Sequence, residues 1–390
     1  TMMLADLGAD VIKVEKVPGG DDTRRINPPR IGDESASFLM MNRNKRGIVL
    51  DLKTEGGKEV LRGLIAKADI VVENYRHDTL AKLGFNFEQA RETNPGLIWC
   101  ALSGFGRTGP YADRGGFDLV AQAMSGIMSV TGASKEEPPM KCGPPLTDIT
   151  AGLLGTIGIL AALQARTHTG KGQLVDTSLY EAGIIHTYWQ SAIALATGES
   201  PGPMGSAHPL NAPYQAFRTA DGWIVVGGAN QTNWLRLTRI LEAPELAEDP
   251  RFKENSGRMA NLAELEAALT EHFVKRPSAE WLAKLDAAGV PAGPVNTINQ
   301  MHEDPQTLAR KMVVDVPHTT LGTVKTLGLP IKLSETPGGP TRGAPLYGEH
   351  TREVLREQGY AEAAIANFIE EGAVVAPAAL RSDAVNDAVP

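Results

Sequence analysis

The first residues with a spacing that could carry chemistry form a glycine-rich segment. Gly104, Gly106 and Gly109 match the GxGxxG spacing of dinucleotide-binding loops and follow an apolar segment. However, Pro110 comes next, and no helical pattern begins before Asp118. The dinucleotide fingerprint needs a helix that opens within the motif, because its N-terminus must face a pyrophosphate. A tight strand-to-loop turn is therefore the better interpretation of these glycines.

Other spacings that carry chemistry do not occur in this sequence. It contains no GxxxxGK[ST], GxSxG or HExxH motif, and the eight histidines are scattered without metal-ligand spacing. We therefore expect no metal site and no permanently bound cofactor. Cys142 could act as a thiol nucleophile, but no histidine is near it in sequence. Cysteine is commonly a small buried apolar residue, and we favour that role here.

A single carboxylate, Asp148, has a distinctive position directly before the Gly-rich apolar segment 149–164. The free N–H groups and the positive end of a helix at this segment would stabilise a carboxylate. An ordinary helix N-cap explains the same placement, and on the residues alone that explanation is the better one. A catalytic carboxylate is the alternative.

The elements around these residues alternate between strands and helices in the first half of the chain. A helix is expected at 54–68, with apolar residues at helical spacing and Thr54 as its N-cap. Such alternation predicts a parallel sheet in an α/β domain. The expected strands lie at 11–15, 47–52, 70–73, 97–102 and 173–177.

The pattern changes after a Gly/Pro-rich linker near residue 200. A hairpin with an Asp221-Gly222 turn follows, then amphipathic helices, which together predict a small α+β domain. An extended pattern at 312–334 and terminal helices at 351–359 and 361–371 complete the chain. The expected division is a large domain (1–200 with 321–375), a small domain (205–320) and a mobile tail (376–390).

Composition bounds the class of protein. The chain has 390 residues and a formal net charge of −8, which argues against a nucleic-acid partner. No apolar run approaches about 20 residues, so we expect no transmembrane segment, and 149–164 should be a buried core helix. Two cysteines predict reduced thiols and a cytoplasmic protein. The first residues are typical of the end of a helix, so a preceding piece of the native chain is expected.

Ordered sequence blocks give the most specific signal. They include LADLGADVIKVE, NRNKRGIVLDLK, VVENYRHDTLAKLGF, LSGFGRTGPYADRGGFDLVAQAMSG and GPPLTDITAGLLG, and matching blocks extend to about residue 352. In this order they resemble the class III CoA-transferase family, of the formyl-CoA transferase and L-carnitine CoA-transferase type. The resemblance is nearest to members that move CoA from succinyl-CoA to dicarboxylic acids.

The resemblance implies a fold and an assembly. The expected fold is α/β, with a Rossmann-like large domain and an inserted small α+β domain. The expected assembly is an interlocked homodimer, in which the active site lies between the large domain of one chain and the small domain of the other. The expected partners are an acyl-CoA, as substrate rather than resident cofactor, and a free carboxylic acid. No membrane partner is expected.

The resemblance also implies a catalytic role for Asp148. This residue stands at the position of the family nucleophile, which attacks the thioester and forms first a mixed anhydride and then an aspartyl-CoA thioester. Water must be excluded from such an anhydride. The segment 204–208 is either the mobile lid of this family or a plain interdomain linker.

The remaining expected site residues contact CoA or lie beside the nucleophile. The lysines would contact phosphates as point charges, and Lys16 and Lys82 stand where formyl-CoA transferase has arginines. Arg24 is a secondary cation, and Arg43 or Arg76 could bind a second substrate carboxylate. The resemblance assigns the CoA-binding positions to Lys16, Arg24, Leu50, Lys53, Asn74, Tyr75, Lys82, Phe117 and Asp118.

The residue type at position 117 distinguishes the two reactions found in proteins with this fold, CoA transfer and racemisation. The racemase-type members have histidine there as one of two acid/base groups, and phenylalanine cannot carry a proton. CoA transfer is therefore the preferred function. An α-methylacyl-CoA racemase or epimerase, and a non-catalytic protein that binds CoA esters, are the alternatives.

Overall fold

Strands and helices alternate along residues 1–377, which are the residues that this computed structural model describes. The strands are β1 (Val11–Lys16), β2 (Arg30–Ile31), β3 (Glu34–Ser35), β4 (Lys45–Leu50), β5 (Ile70–Glu73), β6 (Ile98–Ser103), β7 (Leu174–Ser178), β8 (Tyr214–Arg218), β9 (Trp223–Gly227), β10 (Ala292–Pro294), β11 (Val313–His318), β12 (Gly322–Leu327) and β13 (Val374–Val375). The α-helices are α1 (Met2–Asp6), α2 (Ala36–Met41), α3 (Glu55–Lys67), α4 (Thr79–Lys82), α5 (Phe87–Thr93), α6 (Asp118–Met124), α7 (Leu146–Thr169), α8 (Leu179–Ile185), α9 (Tyr188–Thr197), α10 (Gln231–Ile240), α11 (Glu245–Glu248), α12 (Asn255–Ala260), α13 (Leu262–Phe273), α14 (Ser278–Ala287), α15 (Ile298–Glu303), α16 (Pro305–Ala309), α17 (Thr351–Glu357) and α18 (Glu362–Glu370).

These elements belong to two units. Unit 1 contains Thr1–Gly116, Ile149–Leu179 and the described chain from His302 onward. Unit 2 contains Phe117–Asp148 and Tyr180–Met301. The chain therefore crosses from unit 2 to unit 1 within α7, directly after Asp148.

The predicted domain boundaries differ from these units. Residues 117–148 and 180–200 were expected in the large domain but belong to unit 2, and 302–320 belongs to unit 1. The domain assignment itself stays a prediction. Of the tail expected at 376–390, residues 378–390 lie outside the described residues.

Unit 1 contains two three-stranded sheets rather than one continuous parallel sheet. In the first, β4 lies between β1, which is parallel to it, and β13, which is antiparallel. In the second, β5, β6 and β7 are parallel neighbours. The α/β class, the five predicted strands and their parallel pairing are confirmed, but these strands lie in two sheets instead of one. Local hydrophobic periodicity shows that a segment forms a strand, but it does not show which other strand pairs with that segment.

The helix predicted at 54–68 is α3, and its expected cap is present. The Thr54 hydroxyl accepts a hydrogen bond from the backbone N–H of Gly57 at 3.1 Å. Val60 and Leu64, one turn apart, are buried in one cluster with Ile48 and Leu50 of β4. Since every residue of β4 is buried, this strand anchors the first sheet.

Helix α7 bears on two expectations. It is 24 residues long, and by length and composition alone it could cross a membrane, so the expected lack of a transmembrane segment stays a prediction. One side is buried as expected, because Ile159 and Ala162 pack with Ile98 and Cys100 of β6. Another side is exposed, so the prediction of a buried core helix holds for one side of α7 only. The exposed apolar residues are Ile149, Leu153, Ile157 and Leu160.

Unit 2 has its own sheet and core. Strands β8, β9 and β10 form an antiparallel sheet, and β8 and β9 are the predicted hairpin. Trp234 of α10, Phe273 of α13 and Trp281 of α14 are fully or almost fully buried in one cluster with Phe217 and Ile224 of the hairpin. This packing confirms the α+β character predicted for the segment.

A buried ion pair joins three elements of unit 1. The Arg43 guanidinium donates from Nη2 to Oδ2 of Asp6 at 2.6 Å and from Nη1 to the Thr326 hydroxyl at 3.3 Å. Asn44 Nδ2 donates to the other oxygen of Asp6 at 2.9 Å. Both members of the pair are buried, so the Arg43 guanidinium is already bound within the chain. This arrangement favours a structural role for Arg43 over contact with a substrate carboxylate.

Replacement of Asp6 by alanine should strongly destabilise the fold, because it leaves the Arg43 charge buried and unpaired. We expect the free energy of unfolding to fall by about 3–5 kcal/mol, measured by urea denaturation. Asp10→Ala is the control, since the Asp10 side chain is 61% exposed in its pair with Arg46. That change should cost about 1 kcal/mol or less. Equal losses in the two variants would contradict the role given to the buried pair.

Candidate active site

Asp148 lies within the first turn of α7 rather than before it. The helix begins at Leu146, so the expectation that Asp148 is a residue preceding the helix is wrong. The residue is exposed, and its carboxylate lies at the positive end of a long helix. A carboxylate so placed is accessible to a reactant.

Asp118 takes the capping role that was expected of Asp148. Its Oδ1 accepts hydrogen bonds from the backbone N–H of Thr147 at 2.9 Å and from the Thr147 hydroxyl at 2.8 Å. Its Oδ2 accepts from Gln122 Nε2 at 2.7 Å. These bonds tie the start of α6 to the start of α7. They also place two carboxylates beside the same helix N-terminus.

The environment of Asp148 makes its carboxylate more basic. Partial burial of the carboxyl group, and then the negative charge of Asp118, raise the pKa of Asp148 above its usual value. Within residues 1–377, Asp118 is the one charged neighbour that contributes to this rise. A more basic carboxylate is a stronger nucleophile.

The loop that leads to Asp118 depends on two glycines. A Cβ on Gly104 would lie 2.7 Å from the Cα of Gly116, and a Cβ on Gly116 would lie 2.6 Å from the Cα of Gly104. This close approach follows β6 directly, and α6 does not begin until Asp118. The interpretation of the glycine motif as a strand-to-loop turn is therefore confirmed. Phe117, next in the chain, is 77% exposed.

Several of the expected CoA-contact residues follow strand ends in unit 1. Lys16 and Leu50 are partners at the carboxyl ends of β1 and β4, and Asn74 and Tyr75 follow β5 directly. Partial burial raises the pKa of the Tyr75 phenol, and the charge of Lys16 opposes that rise, so these two side chains lie near each other. Carboxyl ends of parallel strands are where α/β sheets bind ligands.

The three expected lysines are exposed. Lys16 Nζ lies 2.9 Å from Asp22, an exposed pair that a phosphate could displace. Lys53 follows β4, and Lys82 ends α4. Their contacts with CoA stay a prediction.

Arg24 differs from these lysines because its charge is already neutralised. Its Nε and Nη2 donate to the two carboxylate oxygens of Glu15, each at 2.8 Å, and Glu15 is buried. The guanidinium also lies 3.7 Å from the ring centre of Phe38. These contacts favour a structural role for Arg24 over a phosphate contact.

A group that sequence reasoning missed holds the segment with Asn74 and Tyr75. The Arg107 guanidinium pairs with Glu73 and donates to the backbone carbonyl of Tyr75 at 3.3 Å. The Tyr75 N–H donates to Glu73 at 2.9 Å. Arg107 lies in the glycine motif, which was judged only for its glycines. Gln122 was also missed, although its spacing of four residues from Asp118 on a helix indicates such a pair.

The segment 204–208 is held against its neighbours in unit 2. The Gly205 N–H donates to the carbonyl of Gly132 at 2.8 Å, and the His208 N–H donates to that of Tyr214 at 3.0 Å. The Ser206 hydroxyl accepts from the backbone of Ala216 at 3.0 Å. The lid and linker interpretations of this segment both stay open.

Two side-chain groups bear on the other expected chemistries. His77, Asp78 and Asp113 offer ligand atoms within 4.8 Å of one another on the surface, so the expected lack of a metal site stays a prediction.

Cys100 and Cys142 are both free thiols. Burial raises the pKa of the Cys100 thiol to about 11, which makes it a poor nucleophile.

Comparison with known proteins decides the family. The model of the family described as CoA-transferase family III matches residues 1–351. This chain belongs to that family. The resemblance predicted from the sequence blocks is thus confirmed, and the chain is a class III CoA-transferase enzyme.

Individual relatives cover nearly the whole chain. Human succinyl-CoA:glutarate CoA-transferase is 36% identical over 96% of this chain and 85% of its own length. A succinate–glutarate CoA-transferase of Agrobacterium fabrum is 39% identical over 91% of this chain and 90% of its own. The crystal structure of a CaiB/BaiF family protein from Brucella suis has a TM-score of 0.81 at 42% identity, covering 92% of this chain and 94% of that one.

Replacement of Gly104 by alanine should impair the site of this CoA-transferase. The added methyl group would meet the backbone of Gly116 at 2.7 Å, so the loop that carries Phe117 and Asp118 must shift. We expect CoA-transferase activity to fall by about ten-fold or more, as displacements of catalytic groups usually cause. Gly63→Ala in α3 is the control, because its nearest contact is an ordinary 3.5 Å. Full activity of Gly104→Ala would contradict the close packing of Gly104 against Gly116.

Proposed function

We propose that this enzyme transfers CoA from an acyl-CoA, with succinyl-CoA as the preferred donor, to a free dicarboxylic acid through covalent intermediates on Asp148. One observation carries the proposal: an exposed carboxylate stands at the N-terminus of α7, and a second carboxylate, bound by three donors, holds that helix end in place. The membership in CoA-transferase family III supports the reaction class.

The first half of the reaction moves CoA onto the enzyme. An oxygen of the Asp148 carboxylate attacks the thioester carbonyl, and the C–S bond breaks with its electron pair on sulfur. The products are a mixed anhydride and CoA thiolate. The thiolate then attacks the Asp148 carbonyl carbon, and the donor acid leaves as a carboxylate that carries one oxygen from Asp148. The enzyme is left as an aspartyl-CoA thioester.

The second half is the reverse with the acceptor acid. Its carboxylate attacks the aspartyl-CoA carbonyl and releases CoA thiolate, which then attacks the acceptor carbonyl of the new anhydride. Asp148 leaves as a carboxylate with one oxygen from the acceptor. The acyl group stays activated throughout, so no nucleotide triphosphate is consumed. The helix N-terminus stabilises the negative charge of the carboxylate before and after each cycle.

The binding of CoA is assigned to unit 1. The exposed Lys16, Lys53 and Lys82 would contact the phosphates, and Asn74 and Tyr75 would contact the pantetheine arm. The positive charge and exposure of the three lysines support this assignment, as does the place of Lys16, Asn74 and Tyr75 at the carboxyl ends of β1 and β5. Arg24 is left out, because Glu15 already neutralises it.

A dicarboxylic substrate needs a cation for its second carboxylate, and Arg76 is the better of the two residues considered. Arg76 is exposed, and no ion pair to its guanidinium occurs within residues 1–377. The guanidinium lies 3.3 Å from the place of a Cβ on Gly115, so a side chain there would displace it. The relatives named for glutarate support a dicarboxylic acid as the acceptor.

A second copy of the chain is proposed to cover the exposed side of α7. Four apolar side chains on one helix face, with Ile157 62% exposed, are unfavourable in water. The interlocked homodimer implied by the resemblance would bury them. The two free thiols support the proposed cytoplasmic location.

The proposed reaction is tested by mass spectrometry of CoA esters in deuterated water. Succinyl-CoA is incubated with and without glutarate and other dicarboxylic acids, and a branched acyl-CoA is incubated alone. A new CoA ester should form only when an acid is added. Asp148→Ala should lower this transfer more than about a thousand-fold, whereas Asp33→Ala, at an exposed aspartate elsewhere, should not.

Other outcomes of that assay identify the alternatives. Deuterium at the α-carbon of the branched ester, without added acid, would establish a racemase or epimerase and overturn the transferase. Tight binding of CoA esters without any turnover would establish the binding protein. A new ester that still forms in Asp148→Ala would exclude covalent intermediates on Asp148.

The proposed dimer predicts a change in mass upon a single substitution. Ile157→Glu places a charge on the exposed apolar face of α7 and should yield monomers, measured by sedimentation velocity. Thr169→Glu, at the exposed end of the same helix, should leave the dimer intact. For an interlocked pair, labelled and unlabelled dimers should not exchange subunits unless they are unfolded. A wild-type monomer would contradict the proposal.

A further inference from the structure

Gln122 is a buried amide with two fixed partners close to the reacting carboxylate. It lies one turn after Asp118 on α6, and its side chain is completely buried. Its Nε2 donates to Oδ2 of Asp118 at 2.7 Å, and its Oε1 accepts from the backbone N–H of Cys142 at 2.8 Å. The amide thus bridges α6 and the segment 142–148, which ends at Asp148.

The two partners require a side chain that can both donate and accept a hydrogen bond. An ionised carboxylate accepts and never donates, and a backbone N–H donates and never accepts. A bridging group must therefore donate on one side and accept on the other, which an amide does without a charge. Replacement by an apolar residue leaves the N–H of Cys142 and an oxygen of Asp118 without these partners, at a cost that buried polar groups always carry.

We propose that Gln122 is a positioning residue for CoA transfer: it fixes the segment 142–148 against α6 and holds the Asp118 side chain in place beside Asp148. This inference rests on the proposed function of Asp148. It assigns Gln122 no contact with the substrate.

The three hydrogen bonds on Asp118 explain how this arrangement acts. Two come from Thr147 and one from Gln122, and together they fix where the Asp118 carboxylate lies. From that place its negative charge contributes to the raised pKa of Asp148. Loss of the Gln122 bond would weaken this effect, because Asp118 and the segment 142–148 would no longer be held in place.

The test uses four variants of the full chain. Gln122→Met keeps the volume but removes both hydrogen bonds. Asp118→Asn removes the charge and brings two amide N–H groups together. The double change Asp118→Asn with Gln122→Glu restores a donor and an acceptor in exchanged places and returns one negative charge. Gln89→Met, at an exposed glutamine on α5, is the control.

Steady-state kinetics with succinyl-CoA and glutarate should separate positioning from binding. In Gln122→Met, kcat should fall between about ten- and a hundred-fold, as a small misplacement of a reacting group causes. KM for the CoA ester should change little, because Gln122 bonds to Asp118 and Cys142 rather than to the lysines assigned to the CoA phosphates. The double variant should recover part of kcat relative to Asp118→Asn alone.

The pH dependence gives a readout that a purely structural role would not change. The negative charge of Asp118 raises the pKa of Asp148, so its removal in Asp118→Asn should lower that pKa. The acidic limb of the kcat/KM profile should then move to lower pH, and the double variant should move it back. Unchanged limbs in both variants would overturn the electrostatic part of the proposal.

Thiol labelling tests the positioning without any turnover. Cys142 is partly exposed and Cys100 is buried, so a thiol reagent should report on Cys142. Labelling should be faster in Gln122→Met than in wild type and in Gln89→Met, because the segment is released. Equal labelling rates and equal kcat would overturn the inference. If wild type transfers CoA to no acid, the proposed function fails, and the role of Gln122 in the reaction fails with it.

Discussion

The hydrogen bonds that Asp118 accepts at the start of α7 fix the place of Asp148, the nucleophile of the proposed reaction. Thr147 donates both its N–H and its hydroxyl to one oxygen, and Gln122 donates to the other. The helix therefore begins at a fixed point, and the next residue, Asp148, has a fixed place on its first turn. The same bonds hold the Asp118 carboxylate beside Asp148. Two negative charges in close proximity repel each other, and this repulsion raises the pKa of Asp148.

The use of arginine and lysine in unit 1 follows from a related constraint, the cost of burying a charge. Arg43 is buried, the Arg24 side chain is only 10% exposed, and each is paired with a buried carboxylate, so their charges stabilise the fold. Lys16 at the end of β1, Lys53 after β4 and Lys82 at the end of α4 stay exposed. In a chain with a net charge of −8, such local lysines are the cations left to meet an anionic ligand.

Local features of this fold could be predicted from the sequence, and features set by distant residues could not. Strand β5 and helix α3 with its Thr54 cap lie where the pattern places them, because their signals are within a few residues. The start of α7 was misplaced, because its cap comes from a residue 29 positions earlier. Arg24 was taken for a free cation, since its partner Glu15 is evident only once β1 is folded. The role proposed for Asp148 as the nucleophile comes from the resemblance and not from its place near the helix N-terminus.

The oxygen atoms of Asp148 offer the most direct test of covalent transfer. Wild-type enzyme turns over succinyl-CoA with an acceptor acid whose carboxylates carry heavy oxygen, and the peptide containing Asp148 is then analysed by mass spectrometry. The proposed route leaves one acceptor oxygen on the Asp148 carboxylate, so this peptide should gain heavy oxygen, and the peptide with Asp118 should not. If the acceptor is converted to its CoA ester while Asp148 stays unlabelled, the acid attacks the thioester directly, and the aspartyl intermediates are excluded.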